Sequence, residues 1–166
     1  MGLGEPHPIA MRQGGKMKNA EQLVNDKDKK LVTVSPDTVI CDALKVMVDK
    51  GIGAILVKEG DQITGIWTER DLMRNTLLKD FDPNTHKVSD YMSTQLVSVP
   101  HTANLYNLQD KFLGKRLRHL LVEKEGKYIG LLTPGDVMRA DLNLKTSELK
   151  QLNAIVSWEY YENWRW

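Results

Sequence analysis

The sequence predicts an α+β fold in which two β-α-β-β-α repeats pack with pseudo-twofold symmetry. Three observations predict it. The chain repeats itself at a constant offset of 65 residues. Each copy runs through strand, helix, hairpin and helix in the same order. One copy alone is too small to bury a sufficient core, whereas two copies packed together share one. The repeat is clearest where Gly65-Ile66-Trp67-Thr68-Glu69-Arg70-Asp71-Leu72-Met73-Arg74 faces Gly130-Leu131-Leu132-Thr133-Pro134-Gly135-Asp136-Val137-Met138-Arg139, with Gly, Thr, Asp, Met and Arg identical at equivalent places. Leu31-Val32-Thr33-Val34 likewise faces Leu96-Val97-Ser98-Val99, and Leu56-Val57 faces Leu121-Val122.

In the first repeat, Asn19 to Val24 predicts a short opening helix. Leu31 to Val34 is a short apolar strand, and Ser35-Pro36-Asp37-Thr38 is a turn of helix-capping residues. Ile40, Ala43, Leu44, Met47 and Val48 recur at helical spacing until Gly51 and Gly53 break the pattern. Ile55 to Val57 and Ile63 to Trp67 flank the turn Glu59-Gly60-Asp61 as a hairpin. Thr68 then caps a helix reaching to about Leu78, and Asp80 to Asn84 is a linker. The second repeat follows suit. Lys87 to Met92 takes the place of Asn19 to Val24, and Leu96 to Val99 is the strand. Leu105, Leu108 and Phe112 mark the helix, Leu120 to Val122 and Tyr128 to Leu132 the hairpin, and Thr133 the start of the last helix. The expected organisation is a flexible tail over 1–17, repeats over 18–80 and 81–143, and a C-terminal helix with an aromatic tail over 144–166.

Composition narrows the function classes. A net charge of +1 offers no broad basic field, so nucleic acid is not an expected partner. A single cysteine, Cys41, excludes an intramolecular disulfide and fits a reducing compartment; a cytoplasmic location and a small buried side chain are expected for it. Apolar runs are far too short for a membrane span. His7, His86, His101 and His119 show no metal-ligand spacing, and no Walker-type or dinucleotide-type Gly-rich loop appears.

The order of elements, the duplication and the Gly-h-x-Thr-x-x-Asp-h ending (h apolar) resemble the cystathionine-β-synthase (CBS) motif. So does the strand-Pro-x-Thr opening, present as Val34-Ser35-Pro36-Asp37-Thr38 and Val99-Pro100-His101-Thr102. The resemblance covers roughly residues 18–142. It implies a tandem pair of motifs that commonly docks into a disc-like homodimer, with two clefts between the repeats. Each cleft can hold an adenosine ligand: AMP, ADP, ATP, S-adenosylmethionine or, less often, a dinucleotide such as NAD. It further implies that Asp71 and Asp136 accept the ribose hydroxyls, that Thr68, Thr133 and Arg70 approach phosphate, and that the other repeat walls each cleft. Those walls are Leu117-Arg118-His119 for the Asp71 cleft and Ile52-Gly53-Ala54 for the Asp136 cleft, with Thr38 at the strand-helix turn.

The residues explain the chemistry. A helix start presents unpaired N–H groups and partial positive charge to a phosphate, and a carboxylate accepts two ribose hydroxyls at once. The same Thr-x-x-Asp is also close to a capping box, and Pro134 is a standard first helical residue, so both copies have a purely structural use. The clefts are expected to differ. Arg70, Arg116, Arg118 and His119 make the Asp71 cleft basic, whereas Gly135 precedes Asp136 and its wall is small and apolar, offering little to a polyphosphate. Arg74 and Arg139 fit surface helix positions. Leu142, Leu144, Leu149, Leu152, Ile155 and Val156 extend the last helix towards Trp158, Tyr160, Tyr161, Trp164 and Trp166, a cluster expected to pack on its own module, a second subunit or another protein. Residues 1–17 and 143–166 are too short for a catalytic domain. The expected function is a non-enzymatic sensor of adenosine ligands, with no required cofactor and with signalling through a dimer or an unidentified protein partner. The alternative is a structural dimerisation module with unoccupied clefts.

Overall fold

Residues 17–27 and 30–162 are described by the computed structural model. The elements are α1 (Ala20–Lys27), β1 (Thr33–Val34), α2 (Ile40–Lys50), β2 (Ala54–Glu59), β3 (Gln62–Thr68), α3 (Glu69–Asn75), a 3-10 turn (Val88–Asp90), β4 (Ser98–Pro100), α4 (Leu105–Lys115), β5 (Leu120–Lys124), β6 (Lys127–Leu132) and α5 (Pro134–Glu162). They form two three-stranded sheets, β1-β2-β3 and β4-β5-β6. In each, the first strand runs parallel to the second, and the second and third form the hairpin. Even the irregularities repeat, since the bulges at Val57/Lys58 and Val122/Glu123 lie at equivalent positions. The α+β duplication expected from the sequence is the observed fold.

In place of the one shared core expected, two apolar clusters hold it together, one on each sheet. Ile40, Ala43, Met47, Ile55, Val57 and Trp67 form one, and Leu105, Leu108, Phe112, Leu120, Val122, Leu132 and Val137 the other. The opening helices are exchanged between them. Ala20 and Leu23 of α1 bury themselves in the second cluster, and Val88 in the first. Backbone bonds fix this crossing: Ala20 N–H donates to the Ala103 carbonyl at 2.8 Å, and Val88 N–H to the Thr38 carbonyl at 2.8 Å. The exchange carries residues of the first half of the chain to the second sheet.

Local chemistry corrects several expectations. The turn at 35–38 does not cap α2. Its N-cap is Val39, which makes no side-chain bond. Instead the linker supplies the acceptors, the Pro83 carbonyl for Cys41 N–H at 2.8 Å and the His86 carbonyl for Ile40 N–H at 3.0 Å. That satisfies donors a helix start otherwise leaves open. Cys41 is half-buried rather than buried. Strand β1 is shorter than the apolar run 31–34, and α3 stops at Asn75. There, Leu77 and Leu78 N–H groups turn to the Arg74 and Asn75 carbonyls three residues back. α5 continues unbroken through 143–144 to Glu162. Trp164 and Trp166 lie outside the described residues, as do the side chains of Trp158, Tyr160 and Tyr161 and the tail 1–16. No helix among the described residues is long and apolar enough to cross a membrane.

The repeated glycines are explained by close approach. A Cβ on Gly130 would strike both methyls of Val24 on α1, and one on Gly65 would strike the Met92 side chain. A β-branched valine yields less than a methionine. Gly130→Ala is therefore expected to destabilise the protein by about 1–3 kcal/mol. Adding Val24→Ala should restore most of the loss, as read from urea midpoints of the single and double variants.

Candidate functional site

The first site forms where β3 ends and α3 begins. Thr68 is extended at the N-cap, and its hydroxyl accepts from Asp71 N–H at 3.3 Å. In return one Asp71 oxygen accepts from Thr68 N–H at 3.0 Å and Thr68 Oγ1–H at 2.6 Å. This reciprocal box fixes the carboxylate while using only Oδ2. The groove beside it has a volume of about 190 Å³, and its walls include Ile66, Thr68 and Asp71 from the first unit and Leu117, Arg118 and His119 from the second. The crossed wall expected for Asp71 is therefore where the structure places Leu117, Arg118 and His119. Gln95 and Ser93 complete one side, and Ser93 is pinned by exchanging backbone bonds with Ile66 at 2.8 and 2.9 Å. Arg70, half-buried on the first turn of α3, is not among the lining residues, nor is Thr38.

Thr133 and Asp136 repeat half of the arrangement at the start of α5: Thr133 N–H and Oγ1–H each lie 2.8 Å from Asp136 Oδ2, while Asp136 N–H donates to the Thr133 carbonyl at 3.1 Å. One difference is decisive. Lys27, at the end of α1, also donates to Asp136 Oδ2 at 2.8 Å and to the Leu131 carbonyl at 3.0 Å. A cation therefore reaches this cleft although Gly135, not a basic residue, precedes Asp136. Exchange of the opening helices brings the cation from 109 residues away. Ile52, Gly53 and Ala54, the expected wall of this cleft, are not among the residues lining the cavity at Asp136; Ala54 begins β2 in register with Thr68, and the Gly53 carbonyl accepts from Glu69 N–H at 3.1 Å. Burial pushes the Asp136 carboxyl up, but the Lys27 ammonium and the Thr133 donors outweigh it and hold the group below the usual carboxylate range. A cavity of about 620 Å³ between α1 and α5 also reaches Asp136, with Lys27 and Arg139 in its wall.

His119 lines the Asp71 groove and feels charges from both centres. Burial pushes its pKa below the ordinary 6.5, Arg118 and Lys27 push the same way, and Glu69 and Asp71 oppose them. The folded state thus favours the neutral ring. Its contribution to stability is fully present above about 6.5 and is lost as pH falls through the depressed folded value. Wild-type protein should accordingly lose thermal stability between pH 7 and 5.5, and His119→Asn should flatten that slope. An unchanged slope would contradict this account. No group of three or more metal-ligating side chains occurs among the described residues.

The model of the CBS domain family matches residues 24–77 and 88–143. Among curated proteins, the mitochondrial CBS domain-containing protein CBSX3 of Arabidopsis thaliana is 33% identical over 75% of this chain, and the match spans 63% of that protein's length. The crystal structure of the CBS-domain containing protein ATU1752 from Agrobacterium tumefaciens is 30% identical, with a TM-score of 0.70 over 75% of this chain and 99% of that one. The crystal structure of CBSX2 in complex with AMP is 27% identical, with a TM-score of 0.64 over 76% of this chain and 98% of that one.

Proposed function

This chain belongs to the CBS domain family, and from that premise we propose that it is a non-catalytic regulatory module that binds an adenine nucleotide, AMP foremost, in the groove at Asp71. The observation that carries the reading is the convergence of Thr68 and Asp71 with Leu117, Arg118 and His119 from the other unit. Asp71 Oδ1 is left free by the capping box, so the carboxylate has acceptor capacity for ribose hydroxyls. At about 190 Å³ the groove is smaller than a usual ligand pocket, so it suits base and ribose, with the phosphate at the mouth near the exposed Arg118. ADP, ATP, S-adenosylmethionine and NAD share the adenosine part and differ at that mouth. The AMP complex of the 27%-identical CBSX2 supports the choice. The single Cys41 fits a reducing compartment such as the cytoplasm, in which we place the module. Isothermal titration with AMP tests the reading. Saturable binding is expected, without turnover, whereas no heat with any adenosine ligand would leave only the dimerisation role.

Partner assembly follows from a repeated surface. Val48 and Leu113 are 78% and 80% exposed at equivalent positions, and Met73 with Met138 and Leu77 with Leu142 repeat the pattern. Large apolar side chains left open in matched pairs suit an isologous interface with a second copy. A homodimer is the expected state, and Leu77→Glu with Leu142→Glu should shift it to monomer in sedimentation velocity; an unshifted dimer would place the interface elsewhere.

A further inference from the structure

We propose that Lys27 closes the Asp136 cleft as a built-in counter-cation, so that each chain takes one nucleotide, at Asp71, rather than two. The inference rests on the nucleotide-binding reading above and determines which of two similar clefts is used.

The argument compares equivalent positions. In the first unit the chain leaves its 3-10 turn at Asp90 and reaches Ser93 in extended form, where it bridges to Ile66. Ile66 is equivalent to Leu131. In the second unit α1 stays helical to Lys27, and the Leu131 carbonyl receives the Lys27 ammonium instead. The matched backbone bridges Asn19–Asn104 and Val39–Lys87 set Asn19 against Lys87. Beyond those bridges the two segments part: the non-helical chain after Asp90 puts the neutral Gln95 in the wall of the open Asp71 groove, whereas α1 puts the Lys27 ammonium on Asp136.

The ammonium is well held. The Lys27 side chain is 26% exposed and the Asp136 side chain 15% exposed, so the pair is largely shielded from water. Lys27 makes a charge-assisted bond and a carbonyl bond, whereas among the described residues the donors on the Asp71 carboxylate come from its own cap residue Thr68. A ribose offers Asp136 two neutral hydroxyls. Lys27 and both Thr133 donors meet at Asp136 Oδ2, as the Thr68 donors meet at Asp71 Oδ2, so the difference between the clefts is the ammonium itself, which neutralises the Asp136 carboxylate and weakens it as an acceptor for those hydroxyls. Lys27 also lines the neighbouring cavity that reaches Asp136.

The test is AMP titration of the full chain by calorimetry with equilibrium dialysis. Wild type should bind one AMP per chain. Asp136→Asn should retain that site and Asp71→Asn should lose it, asparagine keeping an acceptor for each cap. Lys27→Gln, which replaces the ammonium with a neutral amide, should raise the count to two. Two AMP per wild-type chain, or one AMP lost in Asp136→Asn, would overturn the proposal while leaving nucleotide binding intact. A folded Lys27→Gln that still binds one would also overturn it. No AMP bound by any variant would overturn the functional reading first, and this proposal with it. Should Lys27→Gln fail to fold, the two aspartate variants decide between one site and two.

Discussion

Asp71→Ala is expected to weaken AMP binding by roughly 150-fold or more. Hydrogen bonds to a charged acceptor contribute about 1.5–3 kcal/mol each, and the proposed binding mode sets two ribose hydroxyls on this carboxylate, so the expected loss starts at about 3 kcal/mol. The variant also loses the reciprocal cap with Thr68, which costs the apoprotein about 1 kcal/mol. The two losses separate experimentally. Ligand at about 100 times its dissociation constant adds roughly 2.7 kcal/mol to wild type. At the same AMP concentration the variant, compared with its own ligand-free melt, should show almost no shift. An AMP-induced shift of wild-type size would mean that the ribose is held elsewhere.

Trp67→Ala should be the most damaging single core change, at about 3–5 kcal/mol. Trp67 is fully buried in the first apolar cluster. With the Asn75 amide oxygen turned to the indole, Nε1–H donates to it at 3.2 Å, and the amide nitrogen donates to the Asp71 carbonyl at 2.9 Å. Asn75 is a buried polar residue, so cutting the indole bond leaves its oxygen unpaired, adding about 1–3 kcal/mol that a purely apolar truncation would not incur. Trp67→Phe separates the contributions, since it keeps most of the volume and removes only the donor. For a chain of this size the alanine variant should melt about 10 °C lower or more. A loss under 1 kcal/mol would show that the core refills the space. Because the chain of bonds ends on the α3 turn that carries Asp71, the phenylalanine variant should also loosen AMP binding modestly.

The parts of this molecule governed by short-range pattern were legible in its sequence. The hairpins, both Thr-x-x-Asp caps and the helical spacing of Ile40 to Met47 depend on neighbours within a few residues, and they appear where the pattern puts them. The crossed wall at Asp71 was legible through the family resemblance. Lys27 was not, for a physical reason. Its role depends on α1 lying against the second sheet and staying helical long enough to aim its last residue at Asp136, and neither condition is local. The one available signal was that α1 and its counterpart at 87–92 differ in composition. The capping of α2 escaped for the same reason. Its acceptors are the Pro83 and His86 carbonyls, and backbone carbonyls carry no residue-specific signature. A short apolar run such as 31–34 also does not reveal how many of its residues will find a ladder partner.

The helix that begins beside the second cap has a mechanical consequence. α5 holds 29 residues without interruption, which at 1.5 Å per residue is a rod of about 43 Å. Its root is clamped by Thr133, Asp136 and Lys27, and further along Leu149 and Leu152 are more than half exposed. Tilting the root by about 5° would sweep the far end through nearly 4 Å, on the basis of that length. A small adjustment among three side chains would thereby become a displacement the width of an atom at the far end of the rod.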